Sequence, residues 1–222
     1  MRILLINPNT STQTSAMMAR IVSDLLPAGC KLVSLTAPRG VAMIVNEAQL
    51  QFATDVVVEL ALAHKNSFDA VLIGAFGDPG LDELRALLHQ PVTGICEASM
   101  LEAAKAGRRF GIATVTPDLV ACFVRKARAL GLESRFCGTR LADGDPLQLT
   151  ADFARLTAEL AIAVDKSWRI DGAEAVIIGG GPLGDAATSL AGRFPIPIIS
   201  PLAAAVRQLF AMLAEQDGAI NR

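Results

Sequence analysis

Two carboxylates in this chain stand where acid/base chemistry could be done. Asp78 lies in the small-residue turn Phe76-Gly77-Asp78-Pro79-Gly80, and Glu97 follows the short apolar stretch Pro91 to Ile95. Moving a proton from carbon, or activating a water, needs a group poised near the working pH, and partial burial can bring a Glu there. Glu97 therefore reads either as a catalytic acid/base or as a first-turn carboxylate favoured by the helix dipole. Asp78, in Asp-Pro-Gly, reads as a catalytic candidate or as a turn former. A second set is polar and uncharged: Asn9, Thr10 and Ser11 early in the chain, Thr114 and Thr116 in its middle. Such side chains bind carbonyls and carboxylates, and they also cap helices. Cys30, Cys96, Cys122 and Cys137 show no close-paired spacing, and His64 and His89 are far apart, so the chain carries neither a disulfide frame nor a metal-ligand pattern.

The elements that must position these residues are buried strands. Val71-Leu72-Ile73 is a continuous apolar run, as in a parallel strand covered on both faces. It ends in Gly74-Ala75-Phe76-Gly77, where a ligand can approach the backbone closely. Glu174-Ala-Val-Ile-Ile-Gly-Gly-Gly-Pro-Leu-Gly184 repeats Asp69 to Gly80 at an offset of 105 residues. Three further pairs keep nearly that offset in the same order: Ile3 with Phe110, Leu32 with Phe136, and Val92 with Ile198. A repeat this long is a domain copy. The expected fold is α/β: two pseudo-symmetric halves, residues 1–96 plus 201–222 and residues 97–200, each a parallel sheet of about four strands flanked by helices. The cleft between their strand ends would gather Asn9, Thr10, Ser11, Ala75, Phe76, Gly77, Thr114, Thr116, Gly180, Gly181 and Pro182 around a small-molecule substrate.

Taken in order, Ile3 to Ile6 reads as the first strand, Thr12 to Leu26 as a helix stopped by Pro27, and Asn46 to Lys65 as a long helix. In the second half, a helix from Ala151 to about Ile170 is expected, with Thr150 as its N-cap. An apolar fraction of 52% with only 5% aromatics points to an Ala/Leu/Val/Ile core. A net charge of −2 without a basic, aromatic-interleaved stripe argues against nucleic acid. Mean hydropathy is +0.43, yet no apolar run reaches the roughly 18 residues a membrane span needs. The apolar opening Ile3 to Ile6 is too short for a signal-peptide core, and a cytoplasmic location is expected.

The segments Met1 to Ser11, with Asn7-Pro-Asn-Thr-Ser11, Phe76-Gly-Asp-Pro-Gly-Leu81, Pro91-Val-Thr-Gly-Ile95 with Glu97-Ala, and Gly107-Arg-Arg-Phe-Gly-Ile112 resemble the aspartate/glutamate/hydantoin racemase superfamily, nearest its hydantoin and allantoin branch. The resemblance spans essentially the whole chain. It implies two pseudo-symmetric domains, a cleft site, no cofactor, a homo-oligomer, and racemisation of a cyclic ureide or amino-dicarboxylate. It also implies one cysteine in each Gly-rich turn, one thiolate removing a carbon-bound proton and the opposite thiol returning one. Those positions are Ala75 and Gly180 here, and neither residue carries a proton. A relative, arylmalonate decarboxylase, keeps only the second cysteine, and this chain lacks that one too. Three readings follow: a racemase-like enzyme without the two thiols, a hydrolase or lyase using carboxylate-activated water, or a non-catalytic binder of the same ligands.

Overall fold

A computed structural model describes residues 1–220, with side chains described through residue 216. Residues 221–222 of the expected first half lie outside the described residues. The first repeat runs β1 (Arg2–Asn7), α1 (Thr12–Leu25), β2 (Lys31–Thr36), α2 (Glu47–Ala63), β3 (Ala70–Ile73), α3 (Leu81–Leu87), β4 (Val92–Gly94) and α4 (Ile95–Ala103). The second runs β5 (Phe110–Thr114), α5 (Val120–Ala129), β6 (Phe136–Leu141), α6 (Pro146–Ala151), α7 (Phe153–Arg169), β7 (Ala175–Ile178), α8 (Gly184–Leu190), β8 (Ile198–Ile199) and α9 (Pro201–Ile220). All ladders are parallel, and the sheet orders β2-β1-β3-β4 and β6-β5-β7-β8 are the same order twice.

The duplication extends to individual hydrogen bonds. The backbone N–H of Arg2 donates to the Asp69 carboxylate at 2.6 Å, and that of Arg109 to the Glu174 carboxylate at 2.8 Å. Ala37 N–H donates to Asn7 C=O at 2.9 Å, as Ala142 does to Thr114 C=O at 2.8 Å. Strands β3 and β7 are buried at every residue, as their unbroken apolar runs require. The last helix of each repeat reaches across to the other sheet: α4 packs on β7 and β8, and α9 packs on β3, β4 and α4. One continuous core therefore joins Leu72 and Met18 of the first half to Phe110, Ile112 and Ile177 of the second.

One expected element differs. The helix forecast from Ala151 to about Ile170 is α7, which starts two residues later at Phe153 and is capped by Asp152, and a separate short helix, α6, capped by Asp145, precedes it. Thr150 caps neither; it lies inside α6 and its hydroxyl donates to Pro146 C=O. The carboxylates win because each reaches backbone N–H groups two or three residues ahead, with Pro146 preset at the first position of α6.

Candidate active site

The two Gly-rich turns face each other at the carboxyl ends of β3 and β7. Each begins with the same bond: Gly74 N–H donates to Ile6 C=O and Gly179 N–H to Ala113 C=O, both at 2.8 Å. They all but touch. A Cβ on Gly181 would lie 2.4 Å from Gly74 O, so the close approach itself requires glycine at 181. Phe76 crosses between the halves, its ring edge-on to Phe123 of α5 at 5.1 Å between centroids, and its edge lies 2.9 Å from where a Cβ on Gly179 would be. Burial of two aromatic rings here pins the first turn to the second half.

Between the turns lies a cleft with a cavity volume of about 30 Å³, room for roughly a single water. Asn9, Ala75, Phe76, Thr116, Gly180, Gly181 and Pro182 line it, so seven of the expected binding residues come together. Its remaining wall is apolar: Met43, Ile44 and Leu50 on one side, Val115, Leu119 and Leu183 on the other. No charged side chain lines it. The N–H groups of Ala75, Phe76, Gly180 and Gly181 have no protein acceptor among the described residues. Such free donors suit a carbonyl or an anion.

The other expected residues sit elsewhere. Ser11 caps α1, accepting from Thr14 N–H at 3.1 Å, and borders a separate groove of about 510 Å³ towards α6 and α7. Thr10 is held by its backbone, its N–H donating to Val41 C=O at 2.9 Å, outside the cleft lining. Gly77 and Asp78 face a groove of about 230 Å³ on the far side of the first turn. Thr114 is fully buried behind the cleft, its hydroxyl donating to Gly179 C=O at 2.6 Å.

Neither carboxylate lines the cleft. Asp78 is a clasp: its two oxygens accept from Cys96 N–H and Glu97 N–H, both at 2.8 Å, so it satisfies the first turn of α4 from outside that helix. Lys126 of α5 stands 3.6 Å away. Asp78 also holds φ +53°, a left-handed conformation few non-glycine residues adopt. Burial pushes its pKa up from 3.8 to about 6, against the pull of Lys126 and the two N–H groups. Burial pulls the Lys126 ammonium down, and Asp78 beside it, together with Cys96, Asp82 and Glu97, outweighs that pull and leaves it above its ordinary value.

Glu97 is gripped by Arg85 through two bonds, at 2.7 and 3.1 Å, and receives a third from Gln208 at 3.4 Å. Burial works to raise its carboxyl, but the Arg85 guanidinium outweighs it, leaving Glu97 below the usual carboxylate range. A carboxylate so held is a poor proton acceptor and ties α3, α4 and α9 together. Cys96 is buried, and burial first, with Asp78 second, drives its thiol well above normal, so it is no nucleophile. Among the described residues no group of three His, Cys, Asp or Glu is placed to hold a metal ion.

The sequence pattern of the Asp/Glu/Hydantoin racemase family matches residues 3–209. The chain belongs to the Asp/Glu/Hydantoin racemase family. It is similar to the hydantoin racemase of Paenarthrobacter aurescens, 28% identical over 216 residues, covering 96% of this chain and 92% of that protein. The hydantoin racemase of Rhizobium meliloti is 28% identical over 217 residues, covering 96% and 89%. The allantoin racemase from Klebsiella pneumoniae superposes with a TM-score of 0.91 at 26% identity, over 97% of this chain and 88% of that one. These matches place the chain among enzymes of the racemase type and bear out the two-sheet α/β fold.

Within this racemase family member, Ala75 and Gly180 occupy equivalent places, each the second residue after its strand, 105 apart. Gly180 has extended backbone (φ 164°, ψ 134°) that any residue adopts, so no strain requires glycine there. Leu183 has instead taken the space: a Cβ on Gly180 would lie 2.8 Å from Leu183 Cγ. Sequence reasoning missed Leu183, the Met43–Ile44 wall and Lys126. Leu183 alone left a signal, as the bulky residue at the place Asp78 holds in the first copy.

Proposed function

We propose that this racemase-family enzyme takes a small cyclic ureide of the hydantoin or allantoin type into the cleft, and that proton exchange at its ring carbon proceeds without the two-thiol mechanism. The uncharged lining supports this reading most directly. An amino-dicarboxylate would bring two carboxylates into a cleft that offers no cation, and burying unpaired charge is costly. A ureide ring is neutral, flat and edged with amide groups, and it matches free backbone donors between apolar walls. Asn9, Thr116, Ala75, Phe76, Gly180, Gly181 and Pro182 form the binding set of this proposal. Donors from the turns would stabilise negative charge developing on a ring carbonyl, each worth up to roughly 10²–10³ in rate at such sites. The carbon next to that carbonyl is thereby acidified, which favours exchange of its proton with solvent.

Entry requires movement, because the cavity of about 30 Å³ is smaller than any such ring. Met43 and Ile44 form the wall best placed to swing out, since their segment, between β2 and α2, belongs to no helix or strand. The proposal also keeps the division at 96/97 and 200/201, a cytoplasmic location and a homo-oligomer, the last to be checked by sedimentation.

The test is deuterium incorporation at C5 of enantiomerically pure hydantoins and allantoin in heavy water, alongside calorimetric binding. Saturable incorporation supports the reading. Binding without incorporation points to the second reading, a non-catalytic ureide binder, which the absence of any titratable side chain in the cleft lining favours. A preference for glutamate or aspartate over both ureides would overturn the substrate class.

A further inference from the structure

The polar side chains of the two cleft walls, Asn9 and Thr116, offer opposite hydrogen-bond polarity, and buried backbone groups fix both. On the first wall, Asn9 Oδ1 accepts from Ser11 N–H at 3.0 Å and from Asn7 Nδ2 at 2.9 Å. A backbone N–H can only donate, so the oxygen end of the Asn9 amide is tied down. Asn9 Nδ2 is left over, with no protein acceptor among the described residues, on a residue lining the cleft. Asn7 is likewise oriented, accepting from Asn9 N–H at 3.2 Å and donating to Ser11 C=O at 3.0 Å.

On the second wall two hydroxyls set the polarity. Thr114 Oγ1 lies 2.6 Å from Gly179 C=O, and a carbonyl can only accept, so the single Thr114 hydrogen is spent there. Thr114 Oγ1 also lies 3.2 Å from Thr116 Oγ1, and in that contact Thr116 must donate. The Thr116 hydroxyl then has no hydrogen left for a ligand, only lone pairs. It caps no helix, and it lines the cleft. Asn7 with Asn9, and Thr114 with Thr116, are equivalent pairs, each the last residue of the first strand of its half and the residue two beyond.

Resting on the cyclic-ureide reading, we propose that this cleft reads the direction of the ligand's amide edge, Asn9 Nδ2 donating to a ring carbonyl and Thr116 Oγ1 accepting from a ring N–H. Thr114 is the positioning residue that sets the polarity of Thr116. The ring therefore enters one way round, one face towards Ala75 and the other towards Gly180. A polar site built for an N–H discriminates against an analogue lacking it, because the acceptor is left unpaired.

The experiment is calorimetric titration of the full chain with hydantoin, 1-methylhydantoin and 3-methylhydantoin, with thermal melts to confirm folding. Wild type is expected to bind hydantoin on the order of tenfold more tightly than one of the two methylated rings, the size of one net hydrogen bond. Thr116→Val keeps the shape of the side chain and removes the acceptor, so that preference should shrink to within about threefold. Thr114→Val releases the Thr116 hydrogen and should erase the preference, whereas Thr114→Ser should restore it. A steric effect of the methyl group would persist in Thr116→Val, and that persistence would overturn the inference. So would a wild type that binds all three rings equally, or a Thr114→Val that keeps the wild-type profile. In these cases ureide binding survives and the directional reading alone falls. No binding of hydantoin or allantoin by folded wild type would overturn both.

Discussion

At Gly74 and at Gly179 the chain makes the same bond to a neighbouring strand, and four residues later the two turns part company. The first has Asp78, a buried carboxylate clasped to α4 and facing Lys126. The second, at the matching offset of 105, has Leu183, which fills the space beside Gly180. The strand ends diverge in the same manner, with amides at Asn7 and Asn9 and hydroxyls at Thr114 and Thr116. Duplication has kept the backbone, whose bonds any residue can make, while side chains facing the cleft or closing it from behind have specialised. A pair of equivalent acid/base groups would preserve symmetry across the substrate. The places the resemblance assigns to such a pair, Ala75 and Gly180, hold none, and Leu183 fills the space beside Gly180.

The sharpest way to break the comparison is at the point where the turns meet. Gly181→Ala should destabilise the fold by about 3 kcal/mol or more, read by chemical denaturation, because its Cβ meets a backbone oxygen that cannot turn aside. Gly180→Ala, one residue away, should cost far less, since it meets only the Leu183 side chain.

The clasp on the first turn makes a prediction in pH. Asp78 has its folded pKa raised from 3.8 to about 6, so between these values the folded state binds the proton more readily than the unfolded state. Its contribution to stability is full below pH 3.8 and is lost as pH rises through about 6. The loss is on the order of 2–3 kcal/mol from a shift of this size. Asp78→Asn, which keeps an acceptor and tolerates the left-handed backbone, should flatten that slope in stability-versus-pH curves. An unchanged slope would mean that the clasp is not the titrating group.

Glu97→Gln weakens the tie to Arg85 and should cost about 2 kcal/mol, the exposure of Arg85 softening the usual cost of breaking a buried pair. Hydantoin affinity should be unchanged, because Glu97 does not line the cleft. Loss of C5 exchange at preserved stability would return it to the reacting groups. The smallest effect belongs to the second turn: Gly180→Cys should lose about 1–2 kcal/mol to overpacking against Leu183, and Leu183→Ala in the same chain should relieve it.

Much of this was legible in the sequence, and the exceptions share a cause. The doubled sheets could be read because buried parallel strands need local apolar runs, and Val71 to Ile73 and Val176 to Ile178 are such runs. The turns at Ala75 and Gly180 followed directly. Glu97 could not be placed, because the groups that hold it, Arg85 and Gln208, are 12 and 111 residues away. Asp78 reads locally as a turn former or a catalyst because the helix it caps begins 17 residues later. The Met43–Ile44 wall comes from a segment without regular structure, where no periodicity marks which side chains turn inward. Thr150 was a local misreading, for Asp145 and Asp152 were in view and are stronger caps.

The central claim is ureide chemistry in a cleft without catalytic thiols. Its most direct test is C5 deuteration of hydantoin and allantoin enantiomers by the native enzyme, before and after exhaustive alkylation of accessible cysteines. The account predicts saturable deuteration at a rate alkylation leaves unchanged. Deuteration abolished by alkylation, or none above the uncatalysed rate with either ureide, would contradict it.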